Sequence, residues 1–334
     1  ACAIAFLLYS RDVGDVSDGS NAAVWPMFLI TLVFGAFDAI AIPARHAITP
    51  LVVTREFLPN LVAAAAVTRV LATIVGPVAA GLLYTVGPDL AYFAVAVLFA
   101  ASIPPMLRTG YAVTPTRLTD RPSLKLALEG LRFIRRSPIV LSAISLDMFA
   151  VLFGGAVALI PVIAEERLGV GDIAYGWLRA APGIGAGLMG LVLARRPVTR
   201  RVGPTLLAVV ATFGAFHMTL GMTTNYVVAF VSLVIAAGAD MVSMTIRSTL
   251  VPLATPNSQL GRVTAVESVF IGASNELGAF ESGVAARAVG VPWAIAGGGI
   301  ATMAIAAGFA AFVPTLRNID TYADVELPDA PPAT

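Results

Sequence analysis

Asp38, Arg45, Arg69, Asp147, Arg179, Asp240, Arg247 and Glu276 all stand inside long apolar stretches of this chain. Hydrocarbon offers them no water, so each needs an opposite charge, a polar partner or a wet cavity. Residues of these types support two kinds of chemistry there: ion pairs that hold helices in one arrangement, and carboxylates that gain or lose a proton as their surroundings change. Asp38 precedes Arg45 by seven residues and Asp240 precedes Arg247 by the same interval, about two helical turns and nearly one face. In each pair the carboxylate is expected to tie down its own arginine, a neighbouring helix or the loop at 195–201. A direct role with substrate or proton is the alternative. Arg69, Asp147, Arg179 and Glu276 have no opposite charge within one turn of their own helix. Counting about 1.5 Å per residue from the helix ends places Asp147 and Arg69 at one depth and Glu276 and Arg179 at another. Depth matching therefore pairs Asp147 with Arg69 and Glu276 with Arg179, either as structural ion pairs or as a site where protonation is tied to substrate binding.

The first signature recurs. Asp38, Arg45 and Pro50 return 202 positions later as Asp240, Arg247 and Pro252, and the same offset carries Leu58 onto Leu260, Gly76 onto Gly278 and Gly81 onto Gly283. A repeat running in the same sense through two successive apolar segments predicts two related helical halves, a transporter architecture.

With 58% hydrophobic and 12% charged residues and a mean hydropathy of +0.87, the chain cannot be a water-soluble domain of this length. It reads as an all-α polytopic membrane protein. Apolar spans are predicted at about 24–46, 60–84, 88–107, 139–163, 173–194, 203–221, 225–247, 263–287 and 290–312. Residues 1–9 resemble the end of a further span; with no initiating Met, the first bundle is expected to lack two and a half helices. The single Cys2 excludes an intrachain disulfide, and two isolated histidines offer no metal site. The glycine run AGGGI sits inside a span rather than between a strand and a helix, so no nucleotide or other cofactor is expected. Basic residues are dispersed through short loops, which argues against nucleic acid.

Alternate loops differ in Arg and Lys content, and the rich set, including Arg108, Arg132, Arg195, Arg201, Arg262 and Arg317, is assigned to the cytoplasmic side. The predicted organisation is a helical bundle over 1–107, a cytoplasmic connector over 108–138, a six-helix bundle over 139–312, and a cytoplasmic tail over 313–334 that is polar and acidic from 318 and expected to be disordered. Within the connector, Leu124, Leu128, Leu131 and Ile134 form an apolar stripe opposite bases, which reads as a helix lying on the membrane surface. In the span at 263–287, Val266, Phe270, Ala273, Leu277, Phe280 and Val284 form a stripe predicted to face lipid. Ser268, Gly272, Asn275, Gly278, Ser282 and Gly283 would then face protein or a wet cavity. Pro77, Pro161 and Pro182 are expected to interrupt their spans.

The stretch from Phe37 to Leu83, FDAIAIPARHAITPLVVTREFLPNLVAAAAVTRVLATIVGPVAAGLL, resembles the fourth and fifth helices of major facilitator transporters of the transmembrane secretion effector branch. The segments DMFAVLFGGAVALIPVIAEERLGVGDIAYGWLRAAPGIGAG and GRVTAVESVFIGASNELGAFESGVAA resemble that branch's seventh, eighth and eleventh helices. The resemblance implies the major facilitator fold, two pseudo-symmetric bundles of which the first is incomplete here. It also implies a cytoplasmic gate at Asp38, Arg45, Asp240 and Arg247. Gly76, Pro77 and Gly81 match the helix-kink motif of antiporters in part, since Ala80 stands where that motif has a second glycine. The loop GLVLARRPVTRRVG keeps the glycines and arginines of the superfamily's basic motif without its Asp.

These observations point to a secondary active exporter of a small amphipathic organic molecule, siderophore-like or drug-like, working by alternating access with proton antiport. The expected partners are that molecule, protons and the lipid bilayer, with the chain a monomer in a bacterial inner membrane. The substrate cavity is expected to involve Asp147, Glu276, Arg69, Arg179 and Asn275. A non-transporting remnant of such a transporter is the alternative; a lipid-modifying enzyme would need a nucleophile or paired His and Asp near the interface, and no such constellation is present.

Overall fold

The computed structural model describes residues 29–37, 58–108 and 124–325, all helix and connecting turn without a strand. Asp38, Arg45 and the rest of the first copy of the repeat up to residue 57 lie outside the described residues, as do 1–28, 109–123 and 326–334. The chain divides into two units, one of Ala1–Thr119 with Asp172–Gly176, the other of Asp120–Gly171 with Trp177–Thr334.

In the first unit, residues 29–37 are helical and are followed by α1, Leu58–Tyr84, and α2, Pro88–Arg108. α1 runs without a break through Pro77. Gly76 has open space around it, whereas a Cβ on Gly81 would stand 2.5 Å from the carbonyl oxygen of Asp172. Gly81 is therefore a packing glycine. Arg69 is exposed on α1.

The second unit begins with α3, Leu124–Arg136, followed by α4, Pro138–Phe153; α5, Asp172–Arg195; α6, Val202–Met222; α7, Tyr226–Leu253; α8, Asn257–Val289; and α9, Val291–Phe312. Six helical segments among the described residues are long and apolar enough to cross a membrane. α8 is the longest helix at 33 residues, about 50 Å, and exceeds a hydrocarbon core of about 30 Å. Its Glu, Asn and Ser residues, not its length, make it less apolar than those six segments.

Local chemistry sets the helix ends. Asn225 starts α7 by accepting the N–H groups of Val227 and Val228 at 2.9 and 3.2 Å. Arg167 closes α6 by donating to the carbonyls of Gly221 and Met222, its charge complementing the negative end of the helix. α6 and α9 pack backbone to backbone: a Cβ on Gly214 would lie 2.6 Å from Gly299 O and 3.0 Å from the backbone of Met303. Leu146, Leu206, Ile246, Leu250 and Leu316 fill the core between α4, α6, α7 and the segment after α9.

Three expectations change here. The interruption expected at Pro161 falls earlier: α4 ends at Phe153, Gly154 and Gly155 leave the helix, and the chain resumes through a 3-10 turn at Ala156–Leu159 and a π turn at Ile163–Arg167. Pro161 sits in the first turn of the resumed helix, where it has no N–H to waste. α3 turns its apolar side onto protein rather than toward lipid: Gly130 and Ile134 are buried, Gly130 lies against the backbone of Arg262, and Glu129 pairs with Arg262 at 3.0 Å, although Leu128 stays exposed.

The tail, expected to be disordered from 318, is folded as far as Val325. The N–H of Arg201 donates to Asp320 Oδ1 at 3.1 Å, that of Val202 to Asp320 O at 3.1 Å and that of Gly203 to Ile319 O at 2.9 Å. Tyr322 is hydrogen-bonded to Thr249 of α7, and Ile319 and Val325 are buried. An acidic, proline-rich composition hid two anchoring side chains six residues apart. Asp324 accepts the N–H groups of Thr321 at 2.8 Å and Asp320 at 3.0 Å, and the Thr321 bond above all holds its carboxyl below the usual carboxylate range.

Two outcomes follow. Gly214→Val should lower stability by about 1–3 kcal/mol through overpacking, whereas Gly272→Ala, which faces open space, should not; intrinsic-fluorescence melts of the purified protein compare them. A carboxylate with a depressed folded-state pKa stabilises above its ordinary pKa and loses that contribution as pH falls through the folded value. Hydrogen-exchange protection of the Asp320 and Thr321 amides should therefore hold at neutral pH, fall below the carboxylate range, and be low at every pH in Asp324→Asn.

Candidate functional site

The second unit holds one strongly buried ion pair. Arg247 Nη2 of α7 meets Asp147 Oδ1 of α4 at 2.6 Å, with both side chains 7% exposed, and Arg247 Nε donates to Ser243 Oγ at 3.3 Å. At that burial the pair is held by direct contact and screened little by salt. Asp240 and Glu267 both lie close enough to feel the charge of Arg247, Asp147 feels Asp240, and Glu267 feels Asp147. One guanidinium thus serves three carboxylates drawn from α4, α7 and α8.

This arrangement corrects the depth-matched pairs. Arg247 supplies a counter-charge to Asp147, because depth along a helix leaves azimuth free and Arg247 points from α7 at α4. The expected direct bond between Asp240 and Arg247 is not made. Seven residues separate them by about 10.5 Å along one face, and Arg247 is taken up by Asp147 and Ser243 first. Among the described residues Arg179 and Glu276 form no ion pair: Arg179 donates instead to Val157 O at 3.4 Å, and Glu276 is exposed.

Two cavities flank this cluster. A small one of about 10 Å³, room for a single water, is lined by Asp147, Asp240, Ser243 and Phe213 among others. A larger one of about 360 Å³ is lined by Val151, Gly154, Gly155, Val157, Ala158, Arg179, Phe213, Asp240, Asn275 and Ala279. Asp240, Val151 and Phe213 belong to both. The carboxylate of Asp240 therefore stands between the larger cavity and the buried pair. Of the expected cavity residues, Arg179 and Asn275 line the larger cavity, Asp147 lines only the small one, and Glu276 lines neither. Arg69 belongs to the first unit.

The wall is built by the break in α4. A Cβ on Gly155 would lie 2.6 Å from Gly278 O and 2.7 Å from Ser282 Oγ, and one on Gly154 would overlap the Phe213 ring. Only glycine lets the chain leave the helix this close to α8 and α6. α8 answers with its own small face, Ser274, Gly278 and Ser282, all buried. This partly revises the expected lipid stripe. Leu277, Phe280 and Val284 are exposed, but Val266 and Phe270 pack on the core, and Ser268, Gly272 and Gly283 are exposed instead of packed. The helix meets two different neighbours along its length, so one straight stripe does not describe it.

Phe213 and His217 were not singled out for this site by the sequence. His217 is buried on α6, its Nδ1–H donating to Phe213 O at 2.9 Å and its ring tilted on the Phe213 ring at 4.2 Å. Because a carbonyl only accepts, Nδ1 carries the proton, and Nε2 is left buried without a partner. Their spacing of four, one turn apart, was the available signal.

The sequence profile described as transmembrane secretion effector matches residues 16–332 of the chain. Among curated proteins the chain is similar to the enterobactin exporter EntS of Escherichia coli O1:K1 / APEC, 27% identical over 247 residues, which cover 72% of this chain and 58% of the exporter. EntS of Shigella boydii serotype 18 (strain CDC 3083-94 / BS512) is 26% identical over 244 residues with the same coverage. The match thus spans somewhat over half the length of these relatives.

Removing one partner of the buried pair leaves a charge in a dry site. Asp147→Leu and Arg247→Met should each cost about 3–5 kcal/mol alone, whereas the two together should recover most of that loss. Thermal melts of the two single variants and the double variant, read as a double-mutant cycle, check this.

Proposed function

Because the chain belongs to the transmembrane secretion effector family of major facilitator type, and is thus a multi-pass membrane protein related to exporters, we propose that it exports a small amphipathic organic molecule by alternating access coupled to proton antiport. The observation that carries this reading is Asp240, one carboxylate lining both the 360 Å³ cavity and the water-sized void at the Asp147–Arg247 pair. A carboxylate placed so can lose its proton when substrate fills the cavity and regain it when the cavity empties. The neighbouring ion pair senses each change through its charge.

The cavity volume falls at the lower end of the range for organic ligands, and its lining mixes valine, alanine and phenylalanine with a few polar groups, as ligand sites do. The relatives are named for export of enterobactin, which supports a siderophore-like member of the siderophore-like or drug-like amphiphiles proposed as substrate. The arginine-rich loops and the folded tail are assigned to the cytoplasmic side of a bacterial inner membrane by the positive-inside rule, and the chain is taken to act as a monomer.

The reading is tested in everted vesicles with enterobactin and a panel of amphipathic dyes. An imposed pH gradient should drive accumulation that a protonophore abolishes. Asp240→Asn should retain substrate binding yet lose gradient-driven accumulation by about tenfold or more, and Glu276→Gln should stay near wild type. Accumulation that ignores the gradient, or a loss confined to Glu276→Gln, overturns the assignment to Asp240.

A further inference from the structure

Within the larger cavity the charged lining residues are Arg179 and Asp240, and they sit toward different ends. Asp240 is at the end shared with the small void, near Val151 and Phe213, whereas Arg179 is beside Val157, beyond the break in α4. Asp240 is already accounted for by the Arg247 cluster. Arg179 is not: among the described residues no carboxylate lies within ion-pair distance of it, and its hydrogen bond is to the Val157 carbonyl at 3.4 Å. A guanidinium carries five N–H donors in a fixed fork, so one carbonyl leaves most of its capacity unspent. Arg179 is exposed, so its remaining donors face open space that water or a ligand can fill.

Asn275 supplies the second group. Its Nδ2 donates to Ile271 O at 2.9 Å, which fixes the amide and leaves Oδ1 as an acceptor on the cavity-lining residue. Between these polar points the wall is Val157, Ala158, Phe213 and Ala279. Building on the export reading above, we infer that this cavity binds an organic anion: an acidic group on the Arg179 fork, a hydroxyl or N–H donor on Asn275 Oδ1, and an aromatic or aliphatic body against Phe213 and Ala279. Arg179 is the selecting residue, and the Val157 carbonyl is what aims it. A cationic amphiphile, by contrast, would set its charge against Arg179 and find its only attractive partner in Asp240.

The test uses two fluorescent probes with the same ring framework, 8-anilinonaphthalene-1-sulfonate, which is anionic, and N-phenyl-1-naphthylamine, which is neutral. Each is titrated against the protein in phosphatidylcholine nanodiscs, with empty nanodiscs as the blank. The wild-type protein should favour the sulfonate over the neutral probe by more than the blank does. Arg179→Gln should weaken sulfonate binding by about tenfold, a change of about 1.4 kcal/mol, and leave the neutral probe within about twofold. Equal preference in the wild type overturns the inference without any variant. So does a variant in which both probes weaken together, because that marks a loss of cavity shape, or one in which neither weakens. Binding needs no gradient, so a failure of export in vesicles would sink the transport reading and leave this result standing, while loss of anion preference alongside intact export would sink only the anion site.

Discussion

The buried contact between Asp147 and Arg247 is the constraint around which the second unit is arranged. It crosses from α4 to α7 with both side chains nearly sealed from solvent, and Asp240 and Glu267 lie in its field. A buried pair of this kind is not a large net source of stability, because taking both ions out of water offsets most of their attraction. Its value is in specifying geometry: with either partner displaced, an unsolvated charge remains, so the helices have few alternative registers.

The remaining elements serve to hold that contact and the cavity beside it. Gly214 and Gly299 bring α6 and α9 into backbone contact, which carries Phe213, one residue earlier, to the boundary between the two cavities. His217 steadies Phe213 from one turn below. At the other end of the bundle the segment after α9 ties the start of α6 to α7 through Asp320, Ile319 and Tyr322. The helices that supply Phe213, Asp240 and Arg247 are thus fastened at that end as well as at the Asp147–Arg247 contact and the Gly214–Gly299 crossing.

Class and element order were legible in the sequence because both are properties of composition along the chain. The spans predicted at 60–84, 88–107, 173–194, 203–221 and 290–312 are helices to within two residues, whereas those at 225–247 and 263–287 run six residues farther at one end and that at 139–163 breaks at Phe153. Axial depth was legible too, since a helix advances by a fixed rise, and it singled out Asp147, which is buried. Azimuth was not, and the misassigned pairs follow directly. Whether Asp147 meets Arg69 or Arg247 depends on rotations that neither spacing nor depth records. The tail escaped notice for a different reason. Its order rests on Ile319 and Val325 and on carbonyls offered to the N–H groups of residues 201–203, and a composition dominated by Asp and Pro averages those anchors away. Gly154 and Gly155 stand in mid-span in the sequence, but proline is the commoner cause of a break, so the sequence points to Pro161.

The break at Gly154–Gly155 has a consequence for how such a cavity can change over time. Side chains on the wall, such as Val157, Ala158 and Ala279, can be replaced one at a time, and each replacement reshapes the space. The carbonyl that Arg179 holds is main chain and is encoded by no particular residue. Mutation of the lining can therefore redraw the outline of the cavity while that main-chain acceptor stays in place, so a change in what the wall touches and a change in its charge, which needs a substitution at Arg179 itself, are separate events.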